Sequence, residues 1–330
     1  MKLIDKIKKS QVLFLLFITS FLPLASIGYS HAATTGSPNG FTISPVITEV
    51  TINKGASYTV PITIQNPTAV TSTAVGIVND FVASANENGE PSIIVNESAP
   101  LPANNFKSLV GTVPSVTLSP NEQKTINVTL SVPQGANPGG YYGTIRFAAQ
   151  SSGSPQGNIG LTASVGTLFL VTVPGNLTEK INIAQLSAAN SAGTPRSFFS
   201  SGAVSVISRL QNAGNIHTQP FGSFEIKNMF GHIVTTGQVN NTTPRANVLP
   251  NSIRKFVNPL PSNLHLLGYY TITETITYGT GGGNILIAKA SFWYIPNWLL
   301  ILLIIVVVLI VVLAYTMFRK MKHRSGHKIR

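Results

Sequence analysis

Apolar and polar residues alternate along most of this chain. Ser57–Ile64, Lys124–Val132, Tyr141–Phe147, Ala203–Leu210 and Tyr269–Tyr278 each repeat with a period of two and are rich in Thr, Val, Ile and Tyr. That period puts every second side chain on one face. β-Branched and aromatic residues suit a pleated, half-buried surface, so each run predicts a strand. Turn formers punctuate the runs at Asn66-Pro67, Asn88-Gly89, Ser119-Pro120-Asn121, Pro138-Gly139-Gly140 and Pro174-Gly175-Asn176. Between Phe41 and Tyr294 no segment carries a helical period of 3.6.

The pattern breaks at both ends. Trp298–Phe318 holds no charge, no Gly and no Pro over 21 residues. As a helix that length reaches about 31 Å, the thickness of a bilayer's hydrocarbon core. Arg319, Lys320, Lys322, Arg324, Lys328 and Arg330 follow at once, and such a cluster stays on the cytoplasmic side. Trp293, Tyr294 and Trp298 flank the other end, where amphipathic rings favour the headgroup layer. The reading is a transmembrane helix over 296–318, a basic cytoplasmic tail over 319–330, and an exported region before them. Trp293, Tyr294, Trp298, Arg319, Lys320 and Lys322 are the expected membrane-interface residues. At the other end, Lys2, Lys6, Lys8 and Lys9 stand against Asp5, the apolar run Val12–Leu24 follows, and Ser30-His31-Ala32 offers small residues to a signal peptidase. Residues 1–32 therefore read as a signal peptide and 33–40 as a short linker, with an uncleaved anchor as the other reading.

The exported region repeats itself. Leu118-Ser-Pro-Asn-Glu-Gln-Lys124 and Leu249-Pro-Asn-Ser-Ile-Arg-Lys255 each precede a strand, and Gly140-Tyr141-Tyr142 and Gly268-Tyr269-Tyr270 each open the next. Pro120 to Tyr141 is 21 residues and Pro250 to Tyr270 is 20. Upstream, Gln65-Asn66-Pro67 matches Gln211-Asn212-Ala213, but 54 residues separate Asn66 from Pro120 against 38 between Asn212 and Pro250. Two homologous units with an insertion in the first explain this spacing. Many short strands with such turns predict an all-β fold: two tandem immunoglobulin-like β-sandwiches, over 41–174 and 176–292, ahead of the C-terminal helix. The join at Pro174-Gly175-Asn176 is too short for free tumbling, so a bent rod is expected. One tyrosine of each Tyr-Tyr pair should face the core as a tyrosine corner, its hydroxyl tied to nearby backbone.

Charge and chemistry narrow the function. The formal charge is +12, but the tail supplies six positive charges and the signal segment a net three. Ala33–Asn297 holds 12 Lys and Arg against 9 Asp and Glu, too even a balance for a nucleic-acid footprint. With no Cys, the exported units must be held by their cores, and thiolate metal sites and thiol catalysis are absent. Glu87 and Glu90 are the nearest carboxylate pair, but they flank the Asn88-Gly89 turn signal and read as solvated turn residues. His217, His232 and His265 share no short motif with another ligand-type residue, so no metal site is expected. No nucleophile elbow or phosphate-cradling loop is present, so no cofactor and no enzymatic activity are expected. Several Asn-x-Ser/Thr sequons occur, such as Asn127-Val-Thr129, in a chain rich in all three residues.

Phe41-Thr-Ile-Ser-Pro45, Thr59–Asn66, Asn79-Asp-Phe-Val-Ala-Ser-Ala-Asn-Glu-Asn-Gly89, Val116–Lys124, Val132-Pro133 and Pro138–Ile145 together resemble the WxL-interacting surface proteins of Gram-positive bacteria. The layout of leader, two sandwiches, one helix and a basic tail is similar to theirs too. The resemblance implies a first domain that binds peptidoglycan and a second that binds other surface proteins. It places contact residues in the insertion between Val78 and Pro114, with Asp80, Phe81, Asn86 and Asn88 as candidates, although an extra edge hairpin closing the sandwich would explain the insertion equally. The expected partners are thus cell-wall polymer, surface proteins or both, and the oligomeric state is left open. The alternative is a stalk or an assembly-chaperone-like module that pairs a partner through an exposed strand edge. Inward signalling fits poorly with so short a basic tail.

Overall fold

The computed structural model describes residues 40–96, 98–150, 164–262, 264 and 266–325, with side chains as far as Arg319 in the last helix. The signal segment, nearly all of the linker, Glu97, His265, the side chains of Lys320 and Lys322 and residues 326–330 lie outside that description.

The first sandwich opposes two sheets. One orders β1 (Thr42–Ser44), β3 (Ser57–Gln65) and β7 (Gln123–Ser131) as β1-β3-β7. The other orders β2 (Ile47–Thr51), β9 (Ser164–Val173), β8 (Gly139–Ala149), β4 (Ser72–Ala83) and β5 (Pro91–Ile93) as β2-β9-β8-β4-β5, with β6 (Val116–Leu118) also on β4. Pairing is antiparallel except that β2 runs parallel to β9. The inward positions of the alternating runs meet in one core: Ile62, Ile64, Leu118, Leu130, Ile145, Phe147 and Phe169 are fully buried. The outward positions pair as polar ladders, such as Thr59 with Thr129 (3.0 Å) and Thr63 with Thr125 (2.9 Å).

The second sandwich repeats the plan with its own core. β10 (Ile181–Asn190), β12 (Val204–Asn212) and β15 (Ser252–Pro259) form one sheet. Facing it, β11 (Phe198–Phe199), β17 (Asn284–Tyr294), β16 (Gly268–Tyr278), β13 (Phe221–Asn228) and β14 (Ile233–Val239) order as β11-β17-β16-β13-β14. Val206, Leu210, Ile226, Val239, Ile272 and Ile276 fill the space between them. The helix α1 (Asn297–Ser325) follows β17 after two residues. Its Asn297–Arg319 part is long and apolar enough to cross a membrane, and its side chains from Ile301 to Leu313 are about half exposed. The protein is therefore all-β apart from this helix, with two immunoglobulin-like sandwiches in tandem.

The repeated sequence elements do the same physical work in both copies. Asn66 and Asn212, fully buried at the ends of β3 and β12, each donate from Nδ2 to one carbonyl four residues on and one far along the chain. These are Val70 and Leu118 in the first copy and Ile216 and Val248 in the second. A buried backbone carbonyl without a donor costs about 1–3 kcal/mol, which explains why an amide recurs there. The Pro-Asn turns share a left-handed residue, Asn121 at φ 58° and Asn251 at φ 54°, a conformation that Asn tolerates better than most residues. The tyrosine corners form as expected. The Tyr141 hydroxyl donates to the Asn137 carbonyl at 3.0 Å, and the Tyr270 hydroxyl to the Leu267 carbonyl at 3.0 Å.

One charged group breaks the apolar pattern. Glu274 of β16 points inward between Ile272 and Ile276 and is fully buried. Its Oε2 accepts a 3.0 Å bond from the Ser208 hydroxyl, while Oε1 has no partner. Burial raises the carboxyl from 4.5 to about 7, and the Ser208 bond offsets only part of that. The folded state therefore holds a proton that the unfolded chain releases near pH 4.5. Because the folded value is the higher one, stability is complete below the unfolded value and falls as pH rises towards 7, by on the order of 3 kcal/mol. Glu274→Gln keeps the acceptor for Ser208 and carries no charge. It is expected to remove the decline and raise the Tm at pH 8; thermal unfolding of both proteins at pH 5 and pH 8 checks this, and an unchanged pH slope in the variant would refute it.

Candidate functional site

Charged side chains of the two sandwiches meet at the join between them, among them Glu49, Glu87, Arg209 and His217. β9 ends at Val173, and only Pro174-Gly175-Asn176 and four further residues precede β10. Two contacts reinforce this short join. In the first, the β4–β5 hairpin of the first sandwich reaches across to the second. Its tip turns on amide side chains: the Asn88 N–H donates to Asn86 Oδ1 at 3.1 Å, and the Glu90 N–H to Asn88 Oδ1 at 2.9 Å. Gly89, at φ 83°, leaves room for the Arg254 guanidinium where a Cβ would stand. Glu87 at the tip receives both Nε (2.7 Å) and Nη2 of Arg209 on β12, and its carbonyl accepts the Lys255 N–H of β15 at 2.8 Å. Arg209 is steadied in turn by its Nη1 bond to Gln185 (3.1 Å). The bidentate guanidinium holds the Glu87 carboxyl below its usual range.

The second contact is a chain of three side chains. The Tyr142 hydroxyl on β8 accepts the His217 backbone N–H at 2.7 Å and lies 3.2 Å from His217 Nδ1. His217 Nε2 lies 2.7 Å from Glu49 Oε1 on β2. A proton on Nε2 satisfies every partner: the phenol donates to Nδ1, and Nε2–H donates to Glu49. The bond from His217 holds the Glu49 carboxyl below its usual value, and burial holds the Tyr142 phenol well above its usual value. A hydroxyl–imidazole–carboxylate chain activates nucleophiles in hydrolases. Here the hydroxyl is a buried neutral phenol already engaged with backbone, so the chain acts as a strut between domains.

Three cavities lie around this strut. One of about 540 Å³ is lined by Phe81, Pro102, Asn104, Tyr142, Asn215 and Leu249, among others. One of about 470 Å³ is lined mainly by Ile47, Phe81, Leu168, Leu249, Arg245 and Arg254. A more polar one of about 400 Å³ lies beside Glu49, His217, Arg245 and Thr280. The Arg245 guanidinium sits 3.5 Å over the Phe221 ring. Among the described residues no carboxylate pairs with Arg245 or Arg254, and no group of three His, Cys, Asp or Glu side chains could hold a metal.

The β2 edge opens into the same cleft. The Leu168 N–H donates to the Val46 carbonyl (2.8 Å) and the Ile52 N–H to the Thr172 carbonyl (3.0 Å), so even-numbered residues of this strand face β9. By alternation the N–H and C=O groups of Ile47, Glu49 and Thr51 point away from the sheet. Among the described residues they meet no other strand.

The four contact candidates in the insertion have separate fates. Asp80 is 2% exposed; its Oδ1 accepts the Phe106 and Lys107 N–H groups, and burial raises its carboxyl. Phe81 is 4% exposed and lines two of the cavities. Asn86 and Asn88 shape the hairpin tip. Glu87 differs from its expected role: it is ion-paired across the domain join rather than solvated. The strut and the Arg209 contact carried no local sequence signal, because their partners lie 75 to 168 residues apart. The outward tyrosine of the Gly-Tyr-Tyr motif was the only hint. Among the interface candidates, Trp293 (45% exposed) lies against Tyr269 and Trp298 is 62% exposed. Tyr294 instead stacks on Phe199 and donates to the Gly202 carbonyl at 3.3 Å, and Arg319 is exposed in α1.

No family model matches the chain, and no curated protein matches it. Solved structures that match include a chain from a chaperone–tip adhesin complex of CFA/I fimbriae. It is 14% identical, with a TM-score of 0.39, over 76% of this chain and 98% of that one. The class 5 fimbriae chaperone CfaA is 15% identical at 0.37, over 76% and 98%. The E. coli chaperone DraB is 12% identical at 0.33, over 77% and 96%. Scores this low carry no argument about what this chain binds. One expectation is corrected all the same: these structures are fimbrial chaperones and not WxL-interacting proteins, and no family model supports that resemblance. The peptidoglycan assignment rested on it and falls with it. The quoted motifs are turn and strand signatures that many immunoglobulin-like sandwiches satisfy.

The domain join predicts a pH response. Glu87 has a depressed folded value, so its contribution is present above the ordinary 4.5 and is lost as pH falls through the folded value. A double-mutant cycle of Glu87→Ala and Arg209→Ala is expected to give a coupling of roughly 1 kcal/mol at pH 7, since both side chains are partly solvated. The coupling should weaken on acidification from pH 7 to pH 3; denaturant unfolding of the four proteins at both pH values measures it.

Proposed function

We propose that this chain is a non-enzymatic, membrane-anchored protein that holds an extended segment of another exported protein against the free edge of β2. The observation that carries this reading is the row of outward backbone groups at Ile47, Glu49 and Thr51 beside the 470 Å³ cavity. An added strand gains main-chain hydrogen bonds from such an edge, and alternate side chains gain specificity from adjoining pockets. Ile47, Phe81 and Leu168 would receive an apolar side chain, and Arg245 and Arg254 suit a carboxylate. The anchor is α1, with the sandwiches outside the cell and the basic residues after Phe318 inside.

A spacer role accompanies this reading. The chain enters the second sandwich beside the first and leaves it through β17 directly into α1. The second sandwich therefore separates the β2 edge from the membrane.

The test uses proline, which removes a donor and is tolerated only where that N–H faces away from the ladder. A photo-crosslinking residue at Ile47 in the full-length protein, in its own host, is expected to give a defined protein adduct. A probe at Tyr58, on the opposite sheet, should give none. Adding Thr51→Pro, which deletes an outward N–H and leaves the β9 pairing intact, should lower the yield at least tenfold. Equal crosslinking from Tyr58, or a yield indifferent to Thr51→Pro, would sink the edge-pairing reading.

A further inference from the structure

The end of the second sandwich that lies away from the first carries an apolar surface that its fold does not require. The β-sheet register brings four segments to this end. Tyr294 pairs with Gly268, Tyr270 with Asn228, and Phe198 with Trp293. The β13–β14 hairpin tip, the start of β16, the β11 segment and the exit of β17 are therefore neighbours. Exposed here are Phe230 (77%), Ile233 (56%), Met229 (53%), Leu267 (51%), Phe198 (47%) and Trp293 (45%).

Turn chemistry does not call for these residues. The hairpin tip is built by Asn228, whose Oδ1 accepts the Phe230 and His232 N–H groups at 3.0 Å each, and by Gly231 at φ 82°. Met229 and Phe230 could be polar without loss of any of these bonds. In water their exposure costs about 25 cal/mol per Å² of apolar surface left wet.

The same end is fastened to the start of α1. The Trp293 N–H donates to the Ser197 carbonyl (2.8 Å), the Ile295 N–H to Phe199 (2.8 Å) and the Asn297 N–H to Ser200 (3.1 Å). The first residue of the helix is thus hydrogen-bonded to the sandwich, with no free linker between them. The charge is one-sided as well. Segments 190–204, 227–233, 259–270 and 293–297 contain no Asp or Glu, but they do contain Arg196, His232, His265 and Lys227, the last paired with Glu225 on β13 at 2.6 Å.

We infer that this end of the second sandwich is a lipid-contacting face: Met229, Phe230, Leu267, Phe198 and Trp293 rest in the headgroup layer of the bilayer that α1 crosses, and Arg196 meets anionic headgroups. The inference rests on α1 being the membrane anchor. Aromatic and long apolar side chains on a rigid tip partition into the interfacial layer, and nearby cations add attraction to anionic lipid. A face held there fixes the tilt of the sandwiches over the membrane, which a single helix alone would leave free.

The chain has no cysteine, so single labels can be placed without background. Full-length protein carrying His232→Cys, Lys54→Cys or Val308→Cys, each with an environment-sensitive fluorophore, is reconstituted in phosphatidylcholine–phosphatidylglycerol vesicles. Lipids with a quencher near the headgroup are expected to quench the label at 232 at least twofold more than the label at 54. Deep-chain quenchers should quench the label at 308. Adding Phe230→Ser and Met229→Ser to the His232→Cys protein should return its quenching to that of position 54. Deep quenching at 308 with equal quenching at 232 and 54 would overturn the lipid face while leaving the anchor intact. A label at 308 that no lipid quenches would overturn the anchor, and the lipid face with it. Quenching at 232 that survives the double serine variant would also overturn the proposal, because the apolar tip would not be its cause.

Discussion

Everything in this fold depends on each strand burying one face against an opposing sheet. A chain without cysteine has no crosslink to restrain its unfolded state, so two separate apolar cores carry the stability of the two sandwiches. Strict alternation follows from that requirement, since a slip of one residue would turn an inward set such as Ile62 and Ile64 to solvent. The same requirement makes buried polar groups expensive. Some that persist are bonded to several carbonyls, like Asn66 and Asn212, and Glu274 has its carboxyl raised by burial to about 7.

The local layer of this structure is legible in the sequence. Period-two runs locate β3, β7, β8, β12 and β16 within a residue or two. The Pro-Asn repeats mark left-handed turns, and the Tyr-Tyr pairs mark corner tyrosines, because each depends on residues close in sequence. The tyrosine that faces inward differs between copies, Tyr141 in one and Tyr270 in the other.

The site is legible only in part. Phe81, in the insertion, lines two of the cavities at the join. Its neighbours Asp80, Asn86 and Asn88 serve the loop and the hairpin. The ion pair of Glu87 with Arg209 spans 122 residues, and the hydrogen bond between Glu49 and His217 spans 168. No periodicity encodes such contacts, because they depend on how two finished sandwiches meet. The parallel pairing of β2 with β9 has the same character: Ile47–Thr51 is too short and mixed a run to announce its partner. The family resemblance failed for the converse reason. It was built from local signatures, which specify a sandwich and say little about its ligand.

The direct passage from β17 into α1 also has a mechanical side. β10 enters the second sandwich at the end near the first, and β17 leaves at the far end, so tension between a partner and an anchor of the proposed kind would pull the terminal strands in opposite directions along their length. The eleven register pairs between β16 and β17 are then loaded together in shear, not opened one after another from an end. A sheet loaded this way yields only when many hydrogen bonds fail at once. On the function proposed above, the second sandwich would serve as a stiff tether that transmits force from the β2 edge to the membrane without unravelling.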